Sequence, residues 1–260
     1  MYDIKNGFFV KKSKNIEPLN IIKTEVFDLI KEIFHCKSEN INDGLNNFHN
    51  LIKDVNDAEF NEKRVLLIQK LNKKINIGEL LFKSFEDVIL NLLGPDILIQ
   101  KNCNVVIQRP NDPNPSELHR DAPGNSPYEI VLWIPLVDCY KTKAMYVVDY
   151  ETTQKLYEDL EKSNDWKLFE KLSIEKSNEI SVKFGEALFF STAILHGSNI
   201  NKEEETRFSL NIRFKNIFSP SGLKNQLQFF KKLTVSDLVT IGSSLELKKA
   251  RFLNKNSMKN

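Results

Sequence analysis

Thr206-Arg207-Phe208-Ser209-Leu210-Asn211-Ile212-Arg213-Phe214 alternates polar and apolar side chains from Arg207 onward. Period two marks an extended strand with one wet and one apolar face, because successive side chains leave the backbone on opposite sides. Phe208, Leu210, Ile212 and Phe214 are expected to fill a core, and Arg207 then shares the other face with Ser209. A guanidinium fork matches a carboxylate bidentately, and a neighbouring hydroxyl adds a third bond; this is what anchoring a dicarboxylate requires, and the anion placed there is 2-oxoglutarate. The plainer reading of Arg207 is a surface arginine on an edge strand. Arg213, six positions on and on the same face, is assigned to an acidic substrate group or to a surface carboxylate.

Two further stretches belong with this strand. In Glu117-Leu118-His119-Arg120-Asp121, an extended backbone points His119 and Asp121 the same way, within reach of one ion. A third donor, His196, stands in Ile194-Leu195-His196-Gly197-Ser198, and Arg207 follows it by eleven positions. Two imidazoles and one carboxylate form the facial set that holds non-haem Fe(II) and leaves positions for substrate and O2. A His and an Asp two apart are common by chance; the distal histidine and the arginine at its offset sharpen the pattern. His119-Arg120-Asp121 also spells the catalytic-loop tripeptide of protein kinases, but that loop requires Asn five places after the Asp, where Ser126 stands here. The other histidines, His35 and His49, lie in a helical region and read as solvated or half-buried.

The remaining chain supplies the scaffold. From Ile16 to about Leu93, apolar residues recur at spacings of three and four: Ile21, Ile22, Val26, Phe27, Ile30 and Ile33, then Val65, Leu66, Ile68 and Leu71, then Leu81 to Leu93, closed by Gly94-Pro95. This predicts a helical layer that needs something to cover. From Asp96 onward, short period-two segments at 97 to 109, 128 to 137, 144 to 149, 179 to 184, 187 to 191 and 206 to 218 predict a sandwich or jelly roll, with the helices on one face. Tyr150 to Leu172 reads as one or two amphipathic helices, and the insertion at 150–177 is either a lid over the barrel mouth or a surface decoration. The expected organisation is one structural domain: residues 1–95 an N-terminal strand and helical layer, 96–220 the β core, and 221–260 a C-terminal helix and basic tail, with Phe229, Phe230, Leu233 and Leu238 docking on the body.

Composition is that of an ordinary soluble globular protein, at 260 residues with 41% hydrophobic and 28% charged. With 37 Lys and Arg against 35 Asp and Glu, nothing pulls the chain toward nucleic acid or an anionic membrane. No segment reads as transmembrane or as a signal peptide, so the expected location is cytoplasmic. Cys36, Cys103 and Cys139 show no CxxC spacing and read as reduced, buried thiols.

His119-x-Asp121, His196 and Arg207 together resemble the 2-oxoglutarate and Fe(II)-dependent oxygenases of the phytanoyl-CoA dioxygenase superfamily. The run from Ile107-Gln108-Arg109-Pro110 through Ser126-Pro127-Tyr128-Glu129 to Trp133-Ile134-Pro135-Leu136-Val137-Asp138 is similar to members from bacterial carbohydrate-biosynthesis clusters. The resemblance covers about positions 95 to 218. It implies an α+β, cupin-like double-stranded β-helix, and it implies that Ser198 and Trp133 line the 2-oxoglutarate pocket. Gln108, on the strand before the metal motif, is a candidate substrate contact with Arg213, although the sequence leaves open which face of that strand looks inward. The function expected is hydroxylation of a sugar or sugar-derived metabolite, with Fe(II), 2-oxoglutarate and O2. The sugar rests on the resemblance alone. The competing class is a non-oxygenase, cupin-like carbohydrate-binding protein or sugar isomerase. Oligomeric state is not indicated.

Overall fold

The computed structural model describes residues 4–224 and 226–244. The chain opens with β1 (Phe8–Lys12) and then builds α1 (Glu17–Phe34), α2 (Ile41–Asn46), α3 (Phe48–Leu51), α4 (Asp57–Lys74) and α5 (Ile77–Leu93). The strands that follow are β2 (Ile97–Gln100), β3 (Asn104–Gln108), β4 (Ile130–Pro135) and β5 (Met145–Val147). Two helices, α6 (Tyr150–Ser163) and α7 (Trp166–Glu175), precede β6 (Asn178–Ile180), β7 (Glu186–Ser191), β8 (His196–Ser198) and β9 (Arg207–Asn216). The short α8 (Gln226–Phe229) leads into β10 (Phe230–Thr234).

Local chemistry sets these boundaries. Asn56, Asp149 and Asp165 accept hydrogen bonds from the backbone N–H groups of Glu59, Thr152 and Leu168, capping α4, α6 and α7. Gly94, with φ +74, ends α5, a conformation that a side chain would strain. Along α4 the buried face is Phe60, Leu67 and Leu71, whereas Val65 and Leu66 lie exposed. The spacing of the apolar residues predicts a different stripe; α4 is wetter than its leucines suggest, and a crossing helix, α1, decides which side is covered.

Seven strands form one antiparallel sheet, ordered β1-β7-β4-β9-β2-β10 with β3 also paired to β9. A second sheet, β6-β5-β8, faces it and closes a jelly roll. Alternation along the strands divides the core in two. Ile130, Leu132 and Ile134 of β4, Phe189 of β7 and Phe208, Leu210, Ile212 and Phe214 of β9 pack outward under the helices. Val131, Trp133, Leu188 and Phe190 pack inward with Met145 and Val147 of the small sheet. Helix α5 comes so close at Gly78 that a Cβ there would collide with Ile99. Of the segment expected to return to helix after Pro220, residues 226–229 and 237–244 are helical, but Phe230–Thr234 between them forms β10, which pairs antiparallel with β2; Phe230 is buried, while Leu238 is exposed. Residues 245–260, which hold most of the expected basic tail, lie outside the described residues. Cys103 and Cys139 are buried thiols and Cys36 is half-buried. No helix among the described residues is long and apolar enough to cross a membrane.

Candidate metal centre and anion pocket

His119 and His196 are brought together by the backbone itself. The His119 N–H donates to the His196 carbonyl at 3.0 Å and the His196 N–H returns the bond at 2.9 Å, so the two residues form an antiparallel pair at the edge of β8. Directly opposed residues in such a pair carry their side chains on one face. The ring centroids are 4.3 Å apart. Each Nδ1 lies against the carbonyl two residues earlier, His119 against Glu117 at 2.7 Å and His196 against Ile194 at 3.0 Å. A carbonyl only accepts, so both Nδ1 atoms carry the proton and both Nε2 atoms are left as free bases for a Lewis acid.

Asp121 completes the set. One ligand atom from each of His119, Asp121 and His196 lies within 4.8 Å of the others, and His119 Nε2 is 3.9 Å from Asp121 Oδ1. The loop carrying Asp121 is braced by buried Glu129, whose carboxylate accepts from Ser126 N at 2.9 Å and Asn125 Nδ2 at 2.8 Å. Burial alone would raise the Asp121 pKa, yet the Arg213 guanidinium and then His196 hold it below the usual carboxylate range. Burial, and then the charge of His119, push His196 down to about 4, so it is neutral at pH 7. A neutral imidazole and an ionised carboxylate are the protonation states a metal requires.

Arg207 is 2% exposed and meets no carboxylate among the described residues. Its Nη2 donates to Ser198 Oγ at 3.1 Å and its Nη1 to the Ala144 carbonyl at 3.4 Å, while Nε has no partner. The side chain thus spans the roll, from β9 in the large sheet to β8 in the small one, two residues beyond His196. Desolvation lowers its pKa, the mark of a buried cation without a counter-charge. Ser209 Oγ, next on the same face, is also buried without a partner. A buried guanidinium edge beside a free hydroxyl fits a carboxylate. Together with the two free imidazole bases and Asp121, these donors fit an Fe(II) and keto-diacid pair.

Gln108 lies directly across from Arg207 in the β3–β9 register, which settles the face the sequence leaves open. Its Nε2 donates to the Asn199 carbonyl at 2.8 Å, which places it beside Arg207. Trp133 is buried inside the roll, opposite Asn211 in the β4–β9 register. Arg213 does not face a free substrate site: Nη2 and Nε both donate to Asp121 Oδ2, at 2.6 and 3.2 Å, and Nη1 donates to Gln100 Oε1 at 3.2 Å. Instead of a substrate or a surface acid, its partner is thus the half-buried candidate ligand Asp121. Asn211 and Gln100 are absent from the residues singled out above. The alternation that selects Arg207, Ser209 and Arg213 also selects Asn211, whose Oδ1 is buried and unpartnered. Gln100 has no local signal, since it is set by β2 pairing with β9.

A cavity of about 650 Å³ opens between the small sheet and α7. Leu118 and Glu117 flank it next to His119, Ser198 and Asn199 lie beyond His196, and Trp166, Phe169 and Glu170 of α7 form the far wall. Trp166 is 63% exposed and stands edge-on to Phe169 at 5.8 Å. The inserted helices therefore contribute one side of a cavity whose lining includes chain neighbours of His119 and His196 but none of the three candidate ligands.

No family model and no curated protein matches the chain by sequence. By structure it is similar to the non-heme monooxygenase ThoJ in a nickel complex, with TM-score 0.56 and 13% identity over 90% of this chain and 83% of that one. It is also similar to iron-bound EctD from S. alaskensis, with TM-score 0.54 and 12% identity over 85% and 78% of the two chains. A third is SnoK, a non-heme alpha-ketoglutarate-dependent carbocyclase from nogalamycin biosynthesis, with TM-score 0.52 and 13% identity over 88% and 93%. At these identities the likeness is one of fold, and the fold is the double-stranded β-helix.

Proposed function

We propose that this chain is an Fe(II)- and 2-oxoglutarate-dependent dioxygenase that hydroxylates a sugar or sugar-derived small metabolite. One observation carries the reading: three candidate ligand atoms, on exposed His119, half-buried Asp121 and buried His196, lie within 4.8 Å of one another, and the buried guanidinium of Arg207, bonded to Ser198 two residues beyond His196, has no counter-charge. The fold shared with ThoJ, EctD and SnoK supports it. When bound, iron and 2-oxoglutarate supply the oxidation, in which 2-oxoglutarate, O2 and R–H become succinate, CO2 and R–OH.

His119, His196 and Asp121 would hold the iron, the imidazoles through Nε2. Arg207, with Ser198 and Ser209, would take the distal carboxylate of 2-oxoglutarate, and Trp133 would wall its methylene chain. Gln108 would fix the Arg207 end of that pocket through the Asn199 carbonyl. The substrate would enter the 650 Å³ cavity. There Trp166 and Phe169 offer flat apolar faces to ring C–H groups, and Glu117 and Glu170 accept hydrogen bonds from hydroxyls, the lining a polyol calls for.

The test is succinate formation from 2-oxoglutarate in air with added Fe(II). Wild-type protein is expected to turn over slowly without substrate and faster with the right sugar. Asp121→Ala is expected to abolish turnover, and Arg207→Ala to raise the 2-oxoglutarate requirement, by about 2 kcal/mol or roughly thirtyfold for a lost charge-assisted pair. Sugar binding with no succinate from any form would move the protein to the carbohydrate-binding or isomerase class.

A further inference from the structure

We propose that Arg213 is a positioning residue that restricts Asp121 to a one-oxygen ligand, an inference that rests on the metal reading above. All three guanidinium nitrogens are engaged, two on Asp121 Oδ2 and the third on Gln100 Oε1, and the side chain is only 12% exposed. No edge remains to receive a substrate anion. Both contacts to Asp121 fall on the same oxygen. Oδ1 is left on the side of His119 Nε2, 3.9 Å away.

A carboxylate can offer an ion one oxygen or both. One that gives both takes a position that a chelating keto acid or oxygen needs; with Oδ2 claimed by two N–H groups, Asp121 can give only Oδ1. The grip is itself braced, because Gln100 Nε2 donates to the Asn102 carbonyl at 2.7 Å and so keeps Oε1 turned toward Arg213. A lysine would supply the charge without the fork. Strand β9 thus carries, on one face, both the candidate cosubstrate anchor and the brace of a candidate metal ligand.

The experiment titrates chelator-stripped protein with Ni(II), and anaerobically with Fe(II), by calorimetry. It then follows the visible absorption band that a keto acid produces on chelating ferrous iron. Wild type is compared with Arg213→Met, Arg213→Lys, Gln100→Ala and Asp121→Ala. We expect Arg213→Met to bind either ion about 10- to 100-fold more weakly, the usual cost of removing a partner of a ligand, and to show an altered or missing band. Arg213→Lys should recover part of the affinity but not the band, and Gln100→Ala should shift both in the same direction by less. A purely structural ion pair would lower the melting temperature and leave the band unchanged. Arg213→Met binding within twofold of wild type with the wild-type band would overturn the proposal. Should that variant not fold, Arg213→Lys and Gln100→Ala decide on the same criteria. If Asp121→Ala loses the ion while every Arg213 variant keeps it, the metal reading stands and this inference alone fails; if wild type binds neither ion, both fall.

Discussion

His196 ties the stability of the metal-free protein to pH. In the unfolded chain its ring titrates near 6.5; in the fold, burial and the neighbouring imidazole hold it near 4. Between those values the unfolded state binds a proton that the folded state refuses. The stabilisation is therefore complete above about pH 6.5 and drains away as the pH falls toward 4, by roughly 3 kcal/mol at most. Thermal melts in chelator should show a falling midpoint across that window, with a shallower slope in His196→Gln; equal slopes would mean the ring is not held neutral. At this scale the sequence is most readable where residue type and spacing carry chemistry. His119, Asp121, His196 and Arg207 can be picked out because histidine is scarce, with four in the chain, and the offsets of the carboxylate and the guanidinium from it are restrictive. The Arg213–Asp121 pair joins positions 92 apart and leaves no local trace, so its geometry appears only when β9 and the Asp121 loop meet.

Helix α4 shows how an element's pattern misleads when several faces carry apolar residues. Leu71 is fully buried and Val65 is 46% exposed, although both belong to the stripe that the spacing picks out. Leu71→Ala should destabilise the fold by about 2–5 kcal/mol, and Val65→Ala should stay within about 0.5 kcal/mol, as measured by urea denaturation. The misreading of β10 has a related cause. Phe229, Phe230 and Leu233 sit at helical spacings, but the open edge of β2 offers a ladder of backbone partners that outweighs local preference. The α6–α7 insertion is legible as helices from periodicity, while its packing against Val148, Leu195 and Leu118 is a matter of tertiary structure. Trp166 provides the check. It is the exposed one of two tryptophans, with Trp133 2% exposed, so a sugar entering the cavity should quench mainly its emission. Trp166→Phe should remove that quenching while succinate formation without substrate stays within about twofold. Undiminished quenching would place the sugar elsewhere.

Across the whole molecule, the helical layer and the chemistry meet at one strand. Phe208 packs edge-on against Phe48 of α3 at 5.2 Å. The turn into β9 is held from the same side, since Thr206 N donates to the Asn46 carbonyl at 2.7 Å and His49 Nδ1 pairs with Thr206 Oγ1 at 2.9 Å. Fully buried Lys143 joins Asn46 to Glu205, at 3.0 and 2.7 Å. The layered class is readable from a helical period followed by a β period. The strand order is not, because β9 pairs with β2, β3 and β4, all distant in the chain.

The two-faced character of β9 limits how this chain can change length. Removing or inserting a single residue between Arg207 and Arg213 would invert the remainder of the strand, carrying phenylalanine and leucine into the roll and turning guanidinium groups into the grease beneath the helices. A two-residue change keeps the inside-outside order but draws the proposed cosubstrate grip and the proposed ligand brace out of step by about 7 Å. The span between those two arginines is therefore a fixed ruler in a protein whose loops are otherwise free to lengthen, and descendants of this sequence can vary what stands on the ruler but not its length.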